Sequence, residues 1–171
     1  MLKKILFIIL FCSSWRTTVA QTGKQEANLK AVFIYNFTRY IDWDTSNIEN
    51  EFVIGIIGST AVTEPLDEIA KTNTVKNKKI VIRNFSNPDE ITPCNILFIS
   101  ANSTFSLSSV LAKINKGTLT ITEEAGSAEQ GSAFNFVVIN DKLKFEANVK
   151  SINAAGLKAS SQLLKLAIIV N

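Results

Sequence analysis

Residues Leu119 to Val170 carry the densest structural pattern in the chain and read LTITEEAGSAEQGSAFNFVVINDKLKFEANVKSINAAGLKASSQLLKLAIIV. It begins with a short strand, LTIT, followed by a polar loop rich in Gly, Ser and Ala over residues 123–132. Two further strands are predicted at residues 134–139 and 143–149. An Asn-Asp pair joins them, and these residues suit a tight turn, so we expect an antiparallel hairpin.

The last part of this stretch, Ser151–Ala167, has the residue spacing of one long helix. One face of that helix would carry Ile152, Ala155, Gly156, Ala159, Leu163 and Leu166, with Lys158 and Lys165 on the opposite side. Small residues on a helix face let its axis approach a sheet closely. We therefore expect a long final helix that packs on the sheet.

Upstream of this stretch, apolar runs alternate with helical patterns. Strands are predicted at Phe52–Gly58, Lys78–Phe85 and Asn95–Ser100, and helices at Glu26–Trp43, Pro65–Asn73 and Ser103–Asn115. A length of 171 residues with 46% hydrophobic residues is suited to one domain. The predicted fold is a single α/β domain with a mixed, mostly parallel sheet flanked by helices, a C-terminal antiparallel hairpin and a long final helix.

The first 20 residues have the pattern of a signal peptide. Lys3 and Lys4 precede an apolar run, and Thr18-Val19-Ala20 offers the short side chains that a signal peptidase requires. The apolar run is too short to span a bilayer. We expect cleavage near Ala20, a mature domain of residues 21–171, and no direct membrane insertion after cleavage.

Loss of this segment removes the excess of positive charge. The segment holds three of the 18 basic residues and no acidic one, so 15 basic residues remain against 15 acidic ones. No basic run is left, which argues against nucleic acid as a partner. The balanced charge also gives no reason to expect attraction to anionic lipid.

Residue types argue against catalysis and against a bound metal or cofactor. The sequence has no His, which removes the usual general base near neutral pH and the commonest zinc ligand. After cleavage Cys94 is the one remaining cysteine, and its place before the apolar run ILFI predicts a small buried hydrophobe rather than a redox thiol. An enzyme would need two acids that converge across a cleft.

The first predicted helix has two apolar faces. Ala27, Ala31, Ile34 and Ile41 share one face, and Leu29, Phe33, Phe37 and Tyr40 share the other. One face should pack on the sheet, and the second either on a neighbouring helix or on a second protein chain. The sequence also leaves a homodimer open, without assigning it a surface. Phe33, Phe37, Tyr40 and Trp43 are therefore the candidate residues for protein contact.

The loop after the LTIT strand is the candidate ligand site. Polar loops on a rigid scaffold often carry function, although this one can equally be a connector. In the strand KFEAN, Glu146 lies on the side opposite Phe145, either as a solvated strand residue or as part of a polar patch. A ligand-binding module would use Glu123, Ser127, Gln130 and Glu146.

Several segments together resemble the YfiR-like family of periplasmic proteins. They are AVFIYNFTRYIDW from Ala31, FVIGIIG, CNILFIS, the LTIT strand with its continuation, and KFEANVKSINAAGLKASSQLLKLAIIV. The resemblance implies a compact, exported α/β domain without catalytic activity. It also implies binding to the sensory part of a membrane diguanylate cyclase, which lowers cyclic di-GMP output, although other relatives occur beside sensor kinases.

Two features depart from the family pattern. Members under redox control carry cysteine pairs, whereas Cys94 has no partner after cleavage, so a disulfide switch is not expected here. Ser127 and Ser132 stand where many relatives have an aromatic residue and a glycine. The leading hypothesis is a periplasmic, non-catalytic regulator of a membrane signalling protein, and the alternative is a periplasmic small-molecule binding module.

Overall fold

An eight-stranded sheet forms the centre of the molecule in the computed structural model, which describes residues 16–43 and 50–171. Most of the predicted signal peptide, residues 1–20, lies outside the described residues. Within the described ranges, no helix combines the length and apolar character that crossing a membrane requires.

The element boundaries are as follows. The strands are β1 Ile41–Asp42, β2 Glu51–Ile57, β3 Thr74–Val75, β4 Lys78–Phe85, β5 Ile96–Ile99, β6 Leu119–Thr122, β7 Phe134–Ile139, β8 Lys142–Asn148, β9 Lys158–Ala159 and β10 Ile168–Val170. The helices are α1 Arg16–Tyr40, α2 Thr63–Thr72, α3 Leu107–Leu111, α4 Val149–Ala154 and α5 Ser161–Leu164, with a 3₁₀ turn at Pro88–Glu90.

The sheet is mixed and mostly parallel, as the sequence predicts. Its strand order is β10-β8-β7-β6-β5-β2-β4-β3, and β4, β2, β5, β6 and β7 all run in one direction. At one end β8 is antiparallel to β7 and β10 is parallel to β8. At the other end β3 is antiparallel to β4. The strands β1 and β9 form a separate antiparallel pair.

Both faces of the central strands are buried, which explains their nearly continuous apolar sequences. In β2, Phe52, Ile54 and Ile56 belong to the larger core cluster together with residues of α1 and α2. Val53 and Ile57 point to the opposite face, where a smaller cluster includes Val110 of α3. The predicted hairpin is also confirmed, because β7 and β8 pair antiparallel around a two-residue turn.

The turn of that hairpin has the expected chemistry. Asn140 and Asp141 adopt φ angles of 51° and 58°, the left-handed values that a type I′ turn requires at both central positions. Asn and Asp tolerate this conformation better than other residues with a side chain. The short polar pair therefore sets the register in which Phe136 faces Phe145 across the two strands.

The long final helix predicted for Ser151–Ala167 is wrong. The segment instead forms two short helices, α4 and α5, separated by β9 and followed by the edge strand β10. Gly156 has φ +77°, so it ends α4 in a left-handed conformation that glycine adopts at little cost. Ser160 then caps α5, because its side-chain oxygen accepts a hydrogen bond from the backbone N–H of Leu163 at 3.2 Å.

Two other predicted helices differ in length. The helix predicted for Ser103–Asn115 is shorter, Leu107–Leu111, and Ser106 caps it. The helix predicted to reach Trp43 ends at Tyr40, because the next two residues form β1 and pair with β9. The Ser106 cap sets the start of α3, and the pairing of β1 with β9 sets the end of α1. The spacing of apolar residues reveals neither interaction.

We predict that Gly156→Ala lowers the free energy of unfolding by about 1 kcal/mol, since an L residue with a Cβ pays this cost in the left-handed region. The cost should come from the backbone alone, because a Cβ at this position would meet no atom within 4 Å. Urea denaturation of the purified protein measures the change. Gly156→Asn is the matched control and should cost less, and equal losses for the two variants would contradict this explanation.

Candidate functional site

Two of the four predicted contact residues lie in the core. Phe37 is 1% exposed, and its ring centroid is 4.7 Å from that of Phe134 and 4.9 Å from that of Phe145. Phe33 is half-buried and packs against Phe136 and Phe145 at centroid distances of 6.1 and 6.0 Å. Phe33 and Phe37 of the second apolar face of α1 therefore pack on the β7–β8 hairpin of the same domain, and Phe37 offers no surface to a partner.

Trp43 is buried as well, with 2% of its surface exposed. Its ring meets that of Phe52 edge to face at 5.3 Å, and its indole N–H donates to the carbonyl oxygens of Asn95 and Gly117 at 3.3 and 3.1 Å. The residue thus satisfies backbone groups at the amino ends of β5 and β6. The Trp43 ring is therefore part of the core and offers no surface to a partner protein.

The outward side of α1 nevertheless carries an exposed apolar line, which we call the α1 stripe. It consists of Leu29, Val32 and Tyr40, which are 45%, 48% and 39% exposed. At about 100° per residue, the three side chains fall within about 80° of the helix circumference, on one side of α1. Tyr40 is a predicted contact residue, whereas Val32 is missed by sequence reasoning, although its position three residues after Leu29 is the signal that could have identified it.

A buried ion pair joins α1 to the carboxyl ends of the parallel strands. The Lys30 ammonium lies 2.7 Å from Glu123 Oε2 and 2.6 Å from Glu26 Oε1. The side chains of Lys30 and Glu123 are only 13% and 11% exposed. The other oxygen of Glu123 accepts hydrogen bonds from the Ser100 hydroxyl at 3.1 Å and the Ala101 backbone N–H at 3.2 Å.

The environment of Lys30 favours its charged form. Burial alone would lower its pKa, but the hydrogen bonds and charges of Glu123 and Glu26 outweigh burial and raise the pKa above the ordinary 10.5. The ammonium therefore stays charged throughout the physiological range. Together with the bonds from Ser100 and Ala101, it leaves the Glu123 carboxylate fully engaged within the protein.

The predicted ligand residues do not converge. Glu123 contacts α1, whereas Glu146 accepts a hydrogen bond from Asn135 at 2.9 Å on the opposite face of the sheet. Ser127 is 3% exposed inside the β6–β7 connection, and Gln130 is exposed on its outside. This connection is packed rather than open, since the Asn148 side chain donates to the Ala128 carbonyl at 2.8 Å. The two carboxylates cannot flank one bound molecule.

Two cavities in the described residues lie elsewhere. One of about 710 Å³ is at the amino ends of β2, β5 and β6 and is lined in part by Arg83, Cys94 and Lys116. The other, of about 910 Å³, lies between α1 and α2 and includes Lys24 and Glu64. Neither is lined by any of the four predicted ligand residues. The described part of the chain also contains no group of three or more acidic or cysteine side chains that could hold a metal ion.

Cys94 is a buried free thiol, as its sequence context predicts. Burial raises the pKa of the Cys94 thiol to about 11 from an ordinary value of 9.0. The thiolate is the reactive form, so this environment makes the sulfur a poor nucleophile at neutral pH. Its packing role is visible at Gly55, where an added Cβ would approach the sulfur to 3.3 Å.

We predict that Lys30→Met lowers the free energy of unfolding by about 2 kcal/mol, because it leaves a buried carboxylate without its cation. Urea denaturation at neutral pH measures the change. Lys71→Met is the matched control: Lys71 pairs with Glu68, but both side chains are more than 60% exposed, at 64% and 65%, so no measurable loss is expected. Equal losses for the two variants would refute a special role for the buried pair.

The same ion pair predicts a pH dependence. The pKa of Lys30 is raised in the folded state, so its contribution is complete below the unfolded value of 10.5 and is lost as pH rises through the folded value. The difference in unfolding free energy between wild type and Lys30→Met should therefore stay constant through neutral pH and shrink in the alkaline range. A difference that already vanishes at neutral pH would contradict this assignment.

We predict that, in protein that begins at residue 21, the Cys94 thiol reacts with a disulfide reagent only after unfolding. Burial raises the pKa of this thiol to about 11, so very little of it is thiolate at neutral pH, and burial also blocks access. Spectrophotometric thiol titration with and without urea measures this. A cysteine introduced by Val138→Cys is the positive control, since Val138 is 56% exposed. Rapid labelling of Cys94 in the folded protein would overturn the prediction.

Comparison with known proteins provides one match. A model of the YfiR/HmsC-like family covers residues 27–168, which extend from the middle of α1 to the start of β10. A search of curated protein sequences finds no significant match. The matched region includes the whole eight-stranded sheet except the last two residues of β10. The chain belongs to the YfiR/HmsC-like family.

Proposed function

We propose that this protein is an exported, non-catalytic regulator that acts in the periplasm by binding a membrane-bound signalling protein. The observation that carries the proposal is membership of the YfiR/HmsC-like family over nearly the whole described chain. Within that proposal the target is a diguanylate cyclase or a sensor kinase. Association would control the target, and in the case of a cyclase it would lower the cellular level of cyclic di-GMP.

The α1 stripe is the surface that we assign to this contact. It presents three exposed apolar side chains on α1. The helix is held in place by the packing of Phe37 on the β7–β8 hairpin and by the Lys30–Glu123 ion pair. A rigid helix face loses little conformational entropy on binding. Of the residues predicted as contacts, Tyr40 stays in the proposed site and Phe33 borders it, whereas Phe37 and Trp43 belong to the core.

Control by a disulfide does not form part of the proposal. Cys94 is the one cysteine expected in the mature chain, and it is buried and poorly ionised at neutral pH. A small-molecule site at the β6–β7 connection is also disfavoured, because Glu123 is engaged by Lys30 and Glu146 lies on the other face of the sheet. Regulation by association needs neither feature.

The first test is whether one charge in the α1 stripe abolishes regulation. We expect Val32→Asp to raise cellular cyclic di-GMP several-fold, to the level of a strain that lacks the protein, because a carboxylate in an apolar contact has no partner there. Val138→Asp is the matched control, since Val138 is an exposed valine on the β7–β8 hairpin rather than on α1. It should leave cyclic di-GMP at the wild-type level.

Site-specific photocrosslinking in cells identifies the partner directly. A photoreactive residue in place of Val32 should give a covalent adduct with a membrane protein that carries a cyclase or kinase domain, and one in place of Val138 should not. An exported and folded Val32→Asp variant that regulates normally would remove α1 from the site. A gene deletion that changes neither cyclic di-GMP nor the output of a sensor kinase would refute the proposed function itself.

A further inference from the structure

Asn95 has one side-chain donor that the protein itself does not use. The residue directly precedes β5, and only 7% of its surface is exposed. Its backbone N–H donates to the Val53 carbonyl at 2.9 Å, and its Oδ1 accepts from the Val53 N–H at 2.8 Å. Its own carbonyl oxygen accepts from Leu119 at 2.9 Å and from Trp43 at 3.3 Å. In the described part of the chain, no group accepts a hydrogen bond from its Nδ2.

This free amide group opens onto the cavity of about 710 Å³ at the amino ends of β2, β5 and β6, which Asn95 lines. Among the described residues, every fully buried side-chain nitrogen and oxygen has a hydrogen-bond partner. The unbonded Nδ2 is therefore not a fully buried atom, and the cavity is the open space beside it. A cavity of this volume lies within the range of small-molecule sites. A side chain that is fixed by its other bonds and directs one donor into such a space is a preformed binding group.

The charged side chains that line the cavity favour an anion. Arg83 and Lys116 contribute two positive charges, and Glu51 contributes one negative charge. The Glu51 carboxylate is already paired, because it accepts a hydrogen bond from Arg83 Nη2 at 3.2 Å. Within the described residues, Lys116 forms no ion pair. A guanidinium has five N–H donors, so Arg83 keeps donors for a bound molecule as well.

We propose that this cavity binds a small organic anion by its carboxylate or phosphate group, with Asn95, Arg83 and Lys116 as the donors. Such groups accept several hydrogen bonds at once, and a charged donor makes these bonds stronger. Arg and Lys are the residues that proteins commonly use for these anions. The three uncommitted groups are all donors, so none of them could coordinate a cation. Val53 and Pro93 also line the cavity and offer apolar contact to the rest of the molecule.

The anion site is separate from the surface assigned to the membrane partner. None of the residues that line the cavity belongs to α1 or to the β6–β7 connection. The inference therefore does not rest on the proposed function. Its test uses the purified protein alone, so the result is independent of whether a membrane partner exists.

Nitrogen-15 NMR of purified protein that begins at residue 21 tests the contact at Asn95. The side-chain NH₂ signals of Asn95 are identified as the pair missing from Asn95→Asp, a variant that keeps the acceptor for the Val53 N–H. Sodium phosphate and sodium citrate are titrated separately, with sodium chloride holding the ionic strength constant. At least one of the two probes should shift these signals saturably, and the two titrations distinguish a phosphate from a carboxylate ligand.

Two lysine variants test the role of charge. Lys116→Gln should weaken binding of the active probe about tenfold, because a charge-assisted hydrogen bond is lost. Lys113→Gln is the matched control and should bind as the wild type does, since Lys113 pairs with Asp89 at 2.6 Å and does not line the cavity. Thermal unfolding verifies that the variants are folded. No saturable shift at Asn95 with either probe would overturn the proposal, and equal weakening by the two lysine variants would do the same.

Discussion

The packing of α1 against the β7–β8 hairpin holds the first helix on the sheet through a group of five phenylalanines. Phe37 inserts between Phe134 and Phe145, with Phe33 and Phe136 beside them. Aromatic side chains of this size bury more apolar surface than any other residue type, and ring pairs at these distances add to that stabilisation. The cluster fixes which side of α1 faces the sheet, and it thereby determines that Leu29, Val32 and Tyr40 face outward.

The Lys30–Glu123 pair adds directionality to this packing. Apolar contacts tolerate small rotations and translations of a helix, whereas a buried ammonium must meet its carboxylate at hydrogen-bond distance, here 2.7 Å. Glu123 also accepts hydrogen bonds from Ser100 and Ala101. The ion pair therefore fixes the position of α1 relative to the carboxyl ends of both β5 and β6. A helix located in this way can present a defined surface even though only one of its sides is packed.

The sequence predicts most of the sheet and little of the site. Strands such as β4 and β6 are predicted with their observed boundaries, because apolar runs of β-branched residues leave few alternatives. The C-terminal segment is mispredicted because its helical spacing from Ser151 onward is real, but Gly156 interrupts it with a left-handed residue. The aromatic residues of α1 invite a partner-binding interpretation, since periodicity cannot distinguish a face that packs on a distant hairpin from one that packs on another protein. Lys30 is a similar case, because nothing in its local sequence indicates a partner 93 residues away.

That sequence separation has a consequence for how the chain folds. α1 comes first among the described elements, yet the residues that cover its phenylalanines belong to β7 and β8 near the other end of the chain. Contacts between such distant segments form slowly, because the loop that they close loses conformational entropy before the contact stabilises anything. If the chain crosses a membrane amino end first, as expected for a sequence with the pattern of residues 1–20, α1 emerges long before β7 and β8, and its phenylalanines stay uncovered until those strands follow. During export α1 is then the segment most prone to aggregation and to binding by chaperones. The core is complete only when the β7–β8 hairpin packs on it.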